Sequence, residues 1–334
     1  MFHKTLSSNS KMLKSIFGAL SGEYKMHTIG ESTLDSLPGT ETVQFYSQNI
    51  PINITLKSSS EFKTLKVAYK VSSNDKSKTL PNIKSIINEE NVREIHFMEG
   101  KNQHKSGLMI SVGNINYLPL LVDAIVFIPD NLISKFKLKI VTQSGTLNTN
   151  SLSIESLDSE YSSSISYNDI NVHTLRIKSI TGDINLRGCT FVNALLNSEK
   201  GCVKFNRCKY FNIYSMAHKD IIISSTRGSL LKLYSKEGSI DLSTSRCDDA
   251  TINHNCPKRI KIVDFTFINL TISSSFADIN LVGCKLDLLK ILTKNGPLNI
   301  TDCAIDVASI KSLDGPVKVL VRHYFINCRI PNVV

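Results

Sequence analysis

Residues 175–189, LRIKSITGDINLRGC, decide the fold. Apolar residues alternate at Leu175 and Ile177, and Ser179 follows on the same face. Gly182 turns the chain, and Ile184 and Leu186 alternate again before Gly188 and Cys189. Period-two alternation broken by a glycine describes two short strands meeting at a corner. One such unit is a weak signal, but this one is repeated. The frame is Ser or Thr, two residues, usually Gly, one residue, then apolar-x-apolar.

It returns at Ser198 (Gly201, Val203, Phe205), Ser235 (Gly238, Ile240, Leu242) and Ser274 (Ala277, Ile279, Leu281). Thr293 (Gly296, Leu298, Ile300) and Ser312 (Gly315, Val317, Val319) close the series. Ser215, with His218 and Ile221, fits with one extra residue. The interval from Ser235 to Ser274 leaves room for a coil centred near His254. A fixed period near ~20 residues marks stacked repeats in which no single unit buries its own apolar face. The pattern has no long run with helical periodicity. The expected fold is all-β: a single-stack β-solenoid of ~20-residue coils with an irregular, strand-rich N-terminal portion.

Working outward, residues 138–321 carry the coils and residues 42–137 the N-terminal β-rich portion. Residues 43–46, 50–57, 62–71, 92–98, 108–112 and 124–128 read as strands, and residues 80–91 as holding a short helix. Residues 1–41 read as a leader and polar linker, and residues 322–334 as a cap over the open end. The first 22 residues contain no acid, carry Lys4, Lys11 and Lys14 among serines, and place Met12, Leu13, Ile16, Phe17 and Leu20 at helical spacing. Such a start resembles an organellar transit peptide. The expected location is mitochondrial, with cytoplasmic as the alternative.

No run approaches the ~18 apolar residues of a membrane-spanning helix. Thirty-nine basic residues against 29 acidic ones give a net charge of +10. The lysines are scattered along the sequence, so nucleic acid is not expected as a partner. An unknown protein, or an anionic partner met through a solenoid face, is. Outward positions such as Lys178, Asp183, Arg187, Lys204, Lys232, Asp241, Lys261, Asn280 and Lys318 vary from coil to coil, as on repeat-protein binding surfaces.

Eight cysteines occur without a CxxC. Cys189, Cys208, Cys284 and Cys303 share one coil register, which predicts a ladder of small buried side chains. Free thiols in a core suit a reducing compartment. The asparagines of Asn53-Ile-Thr55, Asn269-Leu-Thr271 and Asn299-Ile-Thr301 read as strand chemistry.

Residues 122–149, VDAIVFIPDNLISKFKLKIVTQSGTLNT, run strand, Ile-Pro, polar turn, strand, Ser-Gly, strand. With the downstream S-x-x-G-x-I coils, this resembles an adhesin-like β-solenoid domain family of unknown function found in bacterial and eukaryotic proteins. Some eukaryotic members carry organellar leaders. The resemblance spans roughly residues 43–321; it implies the fold and carries over no catalytic residue or cofactor.

The chain has no phosphate-binding Gly-rich loop, nucleophile elbow or metalloprotease motif, so no cofactor is expected. His254 and Cys256 form a lone His/Cys pair, short of a metal site. Ser179, Ser198, Ser235, Ser274, Thr293 and Ser312 read as a structural row at one corner, their hydroxyls bonding each other and the turn backbone. The expected function is a non-catalytic binding or scaffold module. The alternative is a hydrolase or lyase acting on a glycan through Asp183 and Asp220, which fall two rungs, about 10 Å, apart. The competing structural role for these aspartates is to accept backbone N–H groups at turns.

Overall fold

A computed structural model describes residues 27–35, 41–47, 52–73, 82–87, 92–98, 121–142, 145–149 and 152–324. The chain forms a β-solenoid of about 10 turns with ~19-residue coils and a less regular N-terminal part. Each regular coil has one nine-residue and one four-residue strand, as in Thr190–Ser198 followed by Val203–Asn206. Long strands pair in parallel with long ones and short strands with short ones, in register, so identical positions stack along two sheets.

Inward positions alternate as the period-two pattern requires. Ile184, Val203, Ile221, Ile240, Ile260 and Ile279 form one continuous buried row on the short sheet. Leu196, Ser215, Leu233 and Ile252 belong to a row on the long sheet. Such rows are hydrophobic along the stack axis as well as across it, which is why no coil is stable alone.

Ser215 is the exception within its row, and the spacing had assigned it elsewhere. The corner position of its coil is held by Ala217, which stands in register with Ser198 and Ser235. Ser215 lies two residues earlier, facing the core, fully buried and with no hydrogen-bond partner for its hydroxyl. An orphaned hydroxyl between leucines is a net penalty. Ser215→Ala is therefore expected to stabilise the protein by about 1 kcal/mol, read as a higher urea midpoint at unchanged slope.

The coil after Ser235 is centred on His254, in register with Ser235 and Ser274. The second corner of each coil was not read from sequence. Asp169, Arg207, Ser225, Thr244, Asp264 and Asp302 all adopt φ between 47° and 55°, with Gly188 and Gly283 at 66° in the same register. Left-handed backbone costs a non-glycine residue about 1 kcal/mol. It is sustained here because the inter-rung backbone bonds run straight through the corner: Asp169 N–H donates to Arg187 O, Gly188 N–H to Asn206 O and Arg207 N–H to Ser224 O.

The N-terminal strands join the same two sheets. Thr42–Tyr46 lies between Val92–Met98 and Lys137–Thr142, all parallel. Ile52–Ser59 likewise lies between Leu121–Pro129 and Leu147–Asn148. The coil that comes first in the chain is thus second in space. Antiparallel strands cover the outermost coil: Asn82–Ile87 on Val92–Met98, and Lys66–Ser73, followed by His27–Asp35, on Leu121–Pro129. The helix expected within residues 80–91 is instead the strand Asn82–Ile87. Pairing with Val92–Met98 satisfies its backbone, which a single helical turn would leave largely open. Residues 27–35, expected as polar linker, form the strand His27–Asp35, its backbone satisfied by pairing with Lys66–Ser73. Residues 1–26 of the expected leader and linker, the strand at 108–112 and most of the C-terminal cap lie outside the described residues.

Candidate functional site

At the first corner the row contains Ser47, Thr142, Tyr161, Ser179, Ser198, Ala217, Ser235, His254, Ser274, Thr293 and Ser312. The hydroxyls work on backbone. Ser179 Oγ lies 2.9 Å from Gly182 O and accepts from Gly182 N–H at 3.1 Å. Ser198 Oγ donates to that same carbonyl from the next coil, at 2.8 Å. Ser235 reproduces the loop with Gly238, Ala277 N–H donates to Ser274 Oγ, and Ser312 Oγ donates to Gly315 O. Thr293 is buried with its hydroxyl unpartnered. At the Ser179–Ser198 step the rungs are linked through a shared carbonyl, not hydroxyl to hydroxyl as the sequence suggested. The hydroxyls brace their own turns, and His254, which stacks in register with Ser235 and Ser274, turns its Nε2 to Gly238 O.

His254 keeps the link. Its Nε2 lies 2.7 Å from Gly238 O, the carbonyl that Ser235 also meets. A carbonyl only accepts, so Nε2 carries the proton. Burial pulls the imidazole pKa below its ordinary 6.5, and hydrogen bonds to Gly238 and other backbone groups offset this in part. The folded state therefore binds fewer protons than the unfolded chain. Stability is full above pH 6.5 and falls as the pH drops from there through the folded-state pKa. His254→Ser is expected to remove that slope, measured as urea midpoints on either side of the window. An unchanged slope would place the acid sensitivity elsewhere. Cys256 Sγ lies 3.5 Å from His254 Nε2, and among the described residues no three His, Cys, Asp or Glu side chains cluster as a metal site.

The four register-matched cysteines stand at the second corner, buried and unbridged. They form two pairs rather than one ladder, because Thr226, Ser245 and Phe265 separate Cys208 from Cys284. Cys284 N–H reaches Cys303 Sγ at 3.4 Å. Cys189 and Cys284 donate to backbone carbonyls, Arg187 O at 3.3 Å and Val282 O at 3.5 Å. Within each pair the facing thiol raises the pKa of Cys189 and Cys284 and lowers that of Cys208 and Cys303.

Asp183 and Asp220 occupy one position two rungs apart, with Cys202 between them. Asp183 Oδ1 accepts Cys202 N–H at 2.8 Å and Asp220 Oδ1 accepts Ser239 N–H at 2.7 Å. Lys204 Nζ stands 3.5 Å from the other Asp183 oxygen. Each carboxylate thus bridges to the coil that follows it, as a turn aspartate does. The neighbouring short-sheet face also pairs charges within itself, as in the two-point contact of Arg259 with Asp241 at 3.2 and 3.0 Å.

The outer face of the long sheet is different. Val192, Leu195, Phe211 and Tyr214 stand exposed together on the Ser198 and Ala217 coils, at 37, 46, 57 and 43% of their full surface. Leu195 and Tyr214 stack in register, and their row reads Arg176, Leu195, Tyr214, Lys232. Val192 and Phe211 form the second apolar pair, nearer the strand starts. Those starts place Lys209, Arg227 and Arg246 on three successive rungs, all exposed. Met216, Leu230 and Tyr234 are half-buried at the margin of the patch. Among the described residues, no ion pair engages Arg176, Lys209, Arg227, Lys232 or Arg246.

No family model matches the chain. No curated protein matches it either. Two solved structures are similar. One is a putative adhesin from Parabacteroides merdae, at 12% identity and TM-score 0.30, over 92% of this chain and 95% of that one. The other is a putative cell adhesion protein from Clostridium sporogenes, at 10% identity and TM-score 0.20, over 89% of this chain and all of that one. No residue role is carried over at that distance.

Of the outward residues singled out from sequence, only Lys232 borders this patch. Lys178 lies in the adjoining coil and is engaged by Glu160 at 3.0 Å and Glu199 at 3.4 Å. Val192, Leu195, Phe211 and Tyr214 were missed because 19 residues separate the members of each stacked pair. Laying the coils over one another at that period is the signal that would have found them.

Proposed function

We propose that the protein is a non-catalytic binding module whose working surface is the long outer face across the Ser179, Ser198, Ala217 and Ser235 coils. The observation carrying this reading is the shared exposure of Val192, Leu195, Phe211 and Tyr214 on two adjacent rungs. Scattered surface apolar residues need no explanation, but a contiguous group rimmed by charge has the composition of an interface core. In-register pairing holds the side chains on a rigid sheet, so little ordering is lost on docking.

A photo-reactive amino acid placed at position 211, and separately at Asn280 on the short-sheet face, tests the reading inside the cell that makes the protein. Discrete adducts from position 211 and none from 280 are expected. Adducts from 280 alone, or from neither, overturn the proposal.

The aspartates are assigned to structure. The double variant D183N/D220N keeps an oxygen able to accept Cys202 and Ser239 N–H. It is expected to fold, to lose about 0.5 kcal/mol per site at most, and to give the same adducts from position 211. A folded variant that has lost its adducts or a measurable glycan-cleaving activity would favour the enzyme reading instead. We further propose a mitochondrial location, which a reporter fused to residues 1–30 tests; diffuse cytosolic signal would reject it.

A further inference from the structure

We infer that the occupant of the long outer face is an acidic, amphipathic polypeptide segment: apolar side chains flanked by Asp or Glu. This rests on that face being the docking surface, and it adds the chemistry of the partner.

Charge is the first argument. Arg176 and Lys232 close the two ends of the row whose centre is Leu195 and Tyr214. Three rungs separate them, about 14 Å at the ladder spacing. Lys209, Arg227 and Arg246 line a third side. These cations have no ion-pair partner among the described residues, unlike Lys178, Lys204 and Arg259 elsewhere on the solenoid. An apolar centre with an unneutralised cationic rim is the complement of apolar anchors carried between carboxylates.

The extent of the positive surface argues against a nucleic acid. Asp158 stands next to Arg176 in the same row, and Asp248 and Asp249 share the rung of Arg246. The cations therefore span a few rungs and then meet acid, where a phosphate backbone needs a continuing track. The centre points the same way. Phe211 and Tyr214 present rings on which bases could stack, but each is paired along the stack with an aliphatic side chain, Val192 or Leu195. The rings therefore do not continue from rung to rung as a stacking track, and the mixed aromatic and aliphatic centre suits the side chains of a polypeptide. Asn193 and Asn212, joined by a 2.8 Å amide hydrogen bond, lie between the two apolar pairs and leave donors and acceptors for a peptide backbone.

The test uses the full chain and fluorescence anisotropy with four probes. These are a labelled peptide with a Leu/Phe stripe flanked by Glu, its Lys-for-Glu twin, poly-glutamate and oligothymidylate. The first is expected to bind, with affinity falling as salt rises, and the others to bind at least roughly tenfold more weakly. The R227E/R246E and F211S/Y214S variants, altered only at exposed positions, should each weaken the first peptide by roughly tenfold or more. Circular dichroism confirms that they are folded. Equal binding of poly-glutamate or of oligothymidylate, or no binding of the first peptide, overturns the inference. If F211S/Y214S weakens the first peptide and R227E/R246E does not, the binding face stands and the acidic partner falls.

Discussion

Lysine at Ile184 or at Ile279 is expected to abolish folding. Both side chains are fully buried in the short-sheet row, Ile184 between Ile165 and Val203 and Ile279 between Ile260 and Leu298. Every neighbour in that row is apolar, so an ammonium there finds no carboxylate and no water. Burying an unpaired charge costs several kcal/mol even after relaxation, against a total stability of about 5–15 kcal/mol for a typical domain. A coil touches only its neighbours, so one expelled rung exposes two faces and the damage spreads along the stack. Ile184→Val, the matched control, should cost only about 1 kcal/mol. Far-ultraviolet dichroism and limited proteolysis read the outcome. A lysine variant with the native strand signal and a cooperative transition would show that the row is not a continuous core.

Gly296→Ala should be among the most costly single-methyl changes. A Cβ there would lie 1.8 Å from Ala277 O, a backbone atom fixed by the rung below. The chain must shift at a corner where Asn295 N–H is already bonded to Ser275 O. Overpacking of this kind costs about 2–3 kcal/mol, and valine should cost more. Ala277, at the equivalent corner, is tolerated because the His254 coil before it runs six residues from ladder position to Ile260, where the Ser274 coil runs five to Ile279. Chemical denaturation of Gly296→Ala beside Ala277→Gly checks this. A near-neutral result at position 296 would mean that the corners slide freely past one another.

These two variants show what was legible in the chain. Ile184, Ile279, Gly296 and the serine row were readable because each belongs to one compact frame: Ser or Thr, two residues, usually Gly, one residue, then apolar-x-apolar. That frame is recognised within a single coil before its return is noticed. Ser215 misled because Ala217 fills the corner without a hydroxyl, so the nearest serine took its place in the frame. The second corner was hidden because its left-handed backbone is held by inter-rung bonds and carries Asp, Arg, Ser and Thr as readily as Gly. The docking surface was hidden for the opposite reason. Phe211 and Tyr214 look like ordinary strand residues until Val192 and Leu195 are laid beside them, and the cations around them are dispersed in sequence and adjacent only in the stack.

The placement of the first coil bears on synthesis. Thr42–Tyr46 and Ile52–Ser59 are sandwiched between strands made later on both sides. A growing chain leaving the ribosome cannot lay down its rungs one after another from the start. The early coil must wait, unpaired on both edges, until Val92–Met98 and Leu121–Pro129 have emerged to roof it and Lys137–Thr142 and Leu147–Asn148 to floor it. From that point each new coil has a finished template beneath it. Emergence of the segment up to Asn148 is therefore the commitment step, with an aggregation-exposed interval before it and one-directional growth after it.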